Sequence, residues 1–261
     1  NSYLQVVKKL NYIPVGLKNK NFSKEWLLDN TLINISEKNP YYGEYTFHYW
    51  IWRNYLENIN TKWVGFCQYR KFFVKEKMDE KNISFDQLKS IAIHDIENEN
   101  NDYDCILGSQ FSVKNFKLIK IIKRHFYKFL SKPSALFSEK NRTIKFHFDL
   151  FHGSGNLNSA IDLLDDTNKE DFRNFVTSRT SFNPHNMFIC RTKFLKKYYE
   201  TIFPWLKRCE KVFGHKNLEG YGMQRIYGFL AERYLSYWFQ KNTNVMEYPI
   251  FFKDLSDYKN F

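Results

Sequence analysis

Short apolar runs alternate along this chain with longer stretches in which hydrophobic side chains recur every three to four residues. The runs Tyr12 to Val15, Trp63 to Tyr69, Tyr103 to Leu107, Met187 to Cys190 and Val245 to Phe252 read as strands. Most are continuously apolar rather than alternating, which suits a sheet covered on both faces. Three helical patterns lie between them. Asn39 caps the first, with Pro40 in its opening turn and Tyr45, Tyr49, Trp52 and Leu56 along one face. The second starts near Thr192, turns Leu195, Tyr198, Ile202 and Leu206 inward, and is disturbed at Pro204. The third, Gly222 to Phe239, sets Met223, Ile226, Tyr227, Leu230, Tyr234 and Tyr237 on one stripe. This alternation predicts an α/β fold, a mainly parallel central sheet flanked by helices, with ligand sites beyond the carboxyl ends of the strands. Glu76 to Asn101 is the most polar stretch and reads as a surface excursion. With no repeat and no low-complexity linker, residues 1–261 read as a single domain.

Opposite the apolar stripe, the third helix gathers Arg225, Gly228, Glu232 and Ser236. A carboxylate one turn from a glycine suits a general base reaching an acceptor hydroxyl, against the plainer alternative of a solvated polar face. In INISEKNP, Asn34, Glu37, Lys38 and Asn39 precede a helix start, where backbone N–H groups beside a lysine suit an anion or a nucleotide; an ordinary capping loop has the same pattern. At the end of the strand at Trp63, Gln68, Tyr69, Arg70 and Lys71 stand where such a sheet holds its ligand, and Arg70 has the fork geometry for a diphosphate, against the plainer alternative of a surface ion pair. Asp102-Tyr103-Asp104 has the spacing of a divalent-metal motif, but it precedes its apolar run and reads as a strand-entry turn. His147, Asp149 and His152 do not specify a metal by their spacing. No metal ligand is assigned, and a manganese or magnesium ion stays open as the only cofactor.

A formal charge of +12 implies an anionic partner, whether a nucleotide, a membrane surface or nucleic acid. The lysines are scattered, with modest clusters at 117–128 and 193–208, so nucleic acid is not an expected partner. Cys67, Cys105, Cys190 and Cys209 form no CxxC pair and read as buried thiols of a reducing compartment. There is no signal-peptide pattern, and no apolar stretch approaches the roughly 18–20 residues of a membrane span. The expected location is cytoplasmic, with peripheral attachment at the inner face of the cell membrane. No GxSxG, P-loop or GxGxxG pattern anchors a hydrolase, kinase or dehydrogenase reading.

Four segments taken together, INISEKNPYYGEYTFHYWIWRN, WVGFCQYRKFF, NMFICRTKFLKKYYETIFPWL and YGFLAERYLSYWF, resemble a family of bacterial capsular and exopolysaccharide glycosyltransferases long catalogued as a domain of unknown function. The resemblance implies a GT-A-like fold, a nucleotide-sugar donor, of which a UDP-sugar is the expectation, and a glycan or lipid-linked glycan acceptor. On matching positions it carries Asn34, Glu37, Lys38 and Asn39, then Tyr69 and Arg70, then Glu232 and Arg233. Gln68 stands where the family has His, and residues 1–10 offer no counterpart of its opening strand, so the chain reads as a domain lacking that strand or as part of a longer one. The expected chemistry is inverting transfer with Glu232 as base and Asn34, Glu37, Lys38, Asn39, Tyr69, Arg70, Arg225 and Arg233 toward the donor. The alternative is a non-catalytic glycan- or nucleotide-binding module.

Overall fold

Strands β1 (Trp63–Phe66), β2 (Cys105–Gly108), β3 (Phe188–Arg191) and β4 (Val245–Tyr248) form the central sheet in the spatial order β1-β3-β2-β4. They belong to a computed structural model that describes residues 3–18, 21–78, 82–96, 102–114, 141–216 and 218–258. The basic cluster at 117–128 lies outside the described residues. β3 runs antiparallel to both neighbours, Phe66 facing Phe188 and Leu107 facing Phe188 from the other side, whereas β2 and β4 run parallel. The expectation of a mainly parallel sheet is therefore corrected: among the described strands the sheet is mixed. Hydropathy is blind to strand direction, because a short apolar run buries the same side chains whichever way it points.

Helices α1 (Tyr45–Trp50), α2 (Ile144–His152), α3 (Thr192–Phe213) and α4 (Ile226–Asn242) flank this sheet. The contact is aromatic: Phe188 of β3 lies 5.0 Å, centroid to centroid, from Phe239 of α4 and 5.8 Å from Tyr198 of α3. Centroid separations of this size belong to rings in offset or edge contact. α3 continues through Pro204, which leaves the carbonyl four residues earlier without its helical donor.

Two expected helices are interrupted, and both interruptions aim a charged residue. The first stops after Asn39–Tyr42 at Gly43, whose φ of 61° and ψ of −136° are open to glycine alone, and it restarts as α1 after Glu44. The third breaks at Arg225 between Gly220–Gln224 and α4. The face of α4 opposite its apolar stripe is not solvated, since Gly228 and Ser236 are buried and the Glu232 side chain is 12% exposed.

A second apolar cluster, with Val6, Leu10, Phe72, Leu88 and Phe251, lies under a ladder in which Lys71–Phe73 pairs antiparallel with Ile250–Phe252. It takes in much of the polar stretch expected to be a surface excursion. Phe85–Ile91 is a helix with a complete capping box between Ser84 and Gln87, and it buries Phe85 and Leu88. Residues 79–81 and 97–101 of that stretch are outside the described residues. At the start of the chain Leu4–Lys9 is helical, and the first expected strand is only Val15–Gly16, parallel to Leu27–Leu28. Cys105, Cys190 and Cys209 are buried as expected, while Cys67 is exposed. Among the described residues no helix is long and apolar enough to cross a membrane.

Candidate active site

Phe66 at the carboxyl end of β1 pairs with Phe188 at the amino end of β3, so the loop entering β3 passes beside the residues leaving β1. That loop is anchored by Asn183. Its amide donates to the Gly108 carbonyl at 2.7 Å and to Glu247 at 2.9 Å, and its Oδ1 accepts from Ser236 at 2.7 Å and Gln240 at 2.9 Å. Every hydrogen-bonding position of this buried side chain is used, which fixes the loop against α4. The next residues but one, His185 and Asn186, both hold left-handed backbone, with φ of 82° and 54°. Such a pair in residues other than glycine is uncommon, and strain of this kind collects at functional sites.

Glu44, delivered by the Gly43 break, sits at the centre. Its Oε1 accepts from Gln68 at 3.0 Å and Asn186 at 3.1 Å, and its Oε2 from Arg225 at 3.3 Å. A Cβ on Gly43 would stand 2.2 Å from the Arg225 Nη2, so the glycine is required both for its backbone and for the arginine. Gln68 also donates to the His185 carbonyl at 2.7 Å, and the Lys71 ammonium donates to Gln68 Oε1 at 2.7 Å and to His185 Nδ1 at 3.0 Å. A lysine can only donate, so His185 accepts through Nδ1 and carries its proton on Nε2. Burial, then the neighbouring ammonium, pull its pKa down to about 4, which agrees with a neutral ring. Burial also lowers the pKa of Lys71, and the nearby carboxylates of Glu44 and Glu232 oppose that shift.

Glu232 accepts the backbone N–H of His185 at 2.6 Å through Oε1 and pairs with Arg233 through Oε2. Arg233 is 2% exposed, with its guanidinium 4.3 Å from the Phe182 ring centroid and 5.6 Å from that of Phe148. Its Nη2 donates to His147 Nδ1 at 3.3 Å, and burial followed by the Arg233 charge hold His147 neutral, with a pKa of about 2. The carboxylate is thus oriented from two sides, by a strained backbone corner and by a buried cation.

Residues 2–243 match the family described as Domain of unknown function (DUF4422). The chain belongs to that family. Its fold is similar to the apo structure of WbbM, a bifunctional glycosyltransferase, with a TM-score of 0.66 and 23% identity over 87% of this chain. The match spans 39% of the WbbM chain, and at that identity it speaks for the fold. No curated protein matches the sequence.

Within this DUF4422 chain the residues singled out from the sequence fall into two groups. Glu232, Arg233 and Arg225 come together around Glu44, though Arg233 is enclosed in the core and points at Glu232. Asn34 is occupied in its own loop, accepting from Ser36 at 2.9 Å and donating to Leu32 at 2.9 Å. Glu37 is exposed, and Lys38 pairs with Glu210 of α3, which also accepts from Tyr42 at 2.7 Å. Asn39 donates to the Gly43 carbonyl at 2.9 Å and so supports the turn that aims Glu44. Tyr69 is 55% exposed with the Arg70 guanidinium 4.7 Å from its ring centroid, and Arg70 pairs with Asp254 at 3.1 Å.

Asp104 lies at the amino end of β2, paired with Arg191 at 3.3 Å. His152 donates to the Gly222 carbonyl at 2.9 Å, and Asp149 pairs with Lys145. Among the described residues no three His, Cys, Asp or Glu side chains gather to hold a metal ion. The donor set at Glu44 and Glu232, interleaved with Lys71, Arg225 and Arg233, does not fit a divalent cation either. Glu44, His185 and Asn186 were not singled out from the sequence, whereas Lys71 was placed at the strand end beside Arg70 without a role of its own.

Proposed function

We propose that the protein transfers a sugar from a nucleotide-sugar donor, a UDP-sugar in the first instance, to a growing capsular or other surface glycan, with inversion at the anomeric carbon. The observation that carries this reading is the Glu232 carboxylate held between the His185 N–H and Arg233 at the carboxyl end of β1, in a fold shared with a bifunctional glycosyltransferase. The acceptor hydroxyl oxygen attacks the anomeric carbon as its proton passes to Glu232. The bond from that carbon to the diphosphate oxygen breaks, and its electron pair leaves on the diphosphate. Arg225 stands on the donor side, and no step is routed through a metal. The acceptor is a glycan or lipid-linked glycan, which places the reaction at the inner face of the cell membrane.

Turnover and thermal-shift screens against UDP-, GDP-, CMP- and dTDP-sugars, with and without manganese, test the donor class. Stabilisation and turnover with a UDP-sugar are expected, and silence with all four would reject the reading. NMR of the product anomer tests inversion; a retained anomer would rule out the single displacement.

A further inference from the structure

The cations around the site differ in how their charge is met. Arg70 has Asp254, Arg225 has Glu44, Arg233 has Glu232 and Lys38 has Glu210. Lys71 is half-buried, and its direct partners, the Gln68 amide oxygen and the His185 ring, are both neutral. No carboxylate of the described residues lies within ion-pair distance of it. A charge drawn partly out of water, with the Glu44 and Glu232 carboxylates near but beyond ion-pair distance, is incompletely compensated, and an anion arriving beside it would be held strongly.

An independent feature of the same corner also points to a ligand. Asn186, 7% exposed, spends its amide N–H groups on Glu44 and on the Gly228 carbonyl at 3.2 Å. Both partners are acceptors, which fixes the orientation of the amide. Its Oδ1 is then a buried acceptor with no donor among the described residues. A sugar hydroxyl beside a diphosphate would supply the missing donor, just as the diphosphate would supply the missing charge.

We infer that the Lys71 ammonium, held between Gln68 and His185 with Glu44 and Arg225 beyond, is the group that receives the diphosphate of the nucleotide-sugar and stabilises it as it leaves. The assignment rests on the nucleotide-sugar reading above and moves the leaving-group role from Arg70 to its neighbour. Lys71 keeps its proton throughout: it donates a hydrogen bond to the phosphate oxygen that gains the electron pair, while the acceptor proton goes to Glu232.

Calorimetric titration of the full chain with UDP and with uridine, in the absence of manganese, tests the assignment. Charge-assisted hydrogen bonds of this kind correspond to a loss of about 10- to 100-fold in UDP affinity for Lys71→Met. Lys71→Arg should stay within about threefold of the unmodified chain, and Lys207→Met, an exposed lysine of α3, should bind unchanged. Uridine, which has no phosphate, should bind Lys71→Met and the unmodified chain alike. Equal UDP affinity in Lys71→Met, or an equal loss for uridine and UDP, would overturn the assignment while leaving the nucleotide-sugar reading in place. If the unmodified chain bound none of UDP, GDP, CDP and dTDP, the underlying reading would fall first.

Discussion

The two ends of the central sheet both gather charge, but they complete it differently. At the amino end of β2, Asp104 meets Arg191 at 3.3 Å and Lys193 at 3.9 Å and accepts the Asn244 N–H at 3.3 Å. Arg191 in turn donates to the Tyr103 carbonyl at 3.0 Å. At the other end Glu44 is shared among three donors, two adjacent residues hold left-handed backbone, and among the described residues Lys71 has no carboxylate in ion-pair reach and Asn186 Oδ1 no donor. A saturated cluster has nothing to offer a ligand. One with unspent donors and acceptors is poised for binding, at some cost in stability.

The largest effect that sharpens this contrast belongs to Glu232→Gln. Loss of the base should lower turnover on the order of 10²- to 10⁴-fold, with UDP affinity little changed. Glutamine can still accept the His185 N–H, but Arg233 would lose its counter-charge. The variant should therefore also unfold at lower temperature, and turnover must be read on its folded fraction. Near-normal turnover would remove Glu232 from the mechanism. Next comes Leu230→Ala, on the buried stripe two residues away. It should cost roughly 2–5 kcal/mol in urea unfolding while leaving turnover per folded molecule intact, and a specific loss of turnover would blur the distinction between core and site.

Acid should weaken the reactive end before the other. Burial lowers the pKa of His48 to about 3, of His147 to about 2 and of His185 to about 4, all below the unfolded value near 6.5. Between these values and about pH 6.5 the unfolded chain holds more protons than the folded one, so stability falls as pH falls. The slope approaches roughly 1.4 kcal/mol per pH unit for the buried His48 ring and is smaller for the partly exposed His147 and His185. Urea midpoints at pH 7 and pH 5 measure it, and His147→Gln should flatten the slope; an unchanged slope would show that His147 titrates normally. The smallest effect is expected of Asp104→Asn, about 1 kcal/mol of stability with turnover unchanged. A large fall in turnover there would break the comparison and restore the Asp-Tyr-Asp segment as a metal-binding candidate.

Much of the fold could be read from the sequence where hydropathy is strong and local. The runs near Trp63, Cys105, Phe188 and Val245 are strands, and the stripe through Leu230 and Tyr234 is core. Strand direction left no trace in those runs. The helix at Phe85–Ile91 was hidden in a polar stretch, although Ser84 and Gln87 spell its cap and Ile83, Phe85 and Leu88 supply its buried side. Within the site, Glu232 and Arg225 stood out because a helix face displays them in register. Glu44, His185 and Asn186 acquire meaning only through each other, and no window on the sequence spans them. Arg233 resembled its neighbours in charge alone; the rings of Phe148 and Phe182 that enclose it lie far away along the chain.

Those separations also set the order in which the site can assemble. The hydrogen bonds that build the site join residues 24, 47, 117 and 181 positions apart. A chain that has emerged from the ribosome only as far as Arg191 holds Glu44, Gln68, Lys71 and His185 but not α4, so His185 has no carboxylate to meet and Glu44 no Arg225. Contacts of such long range form late, after loop closure has been overcome. Docking of α4 is then both the step that completes the core and the step that brings Glu232 to His185 and Arg225 to Glu44.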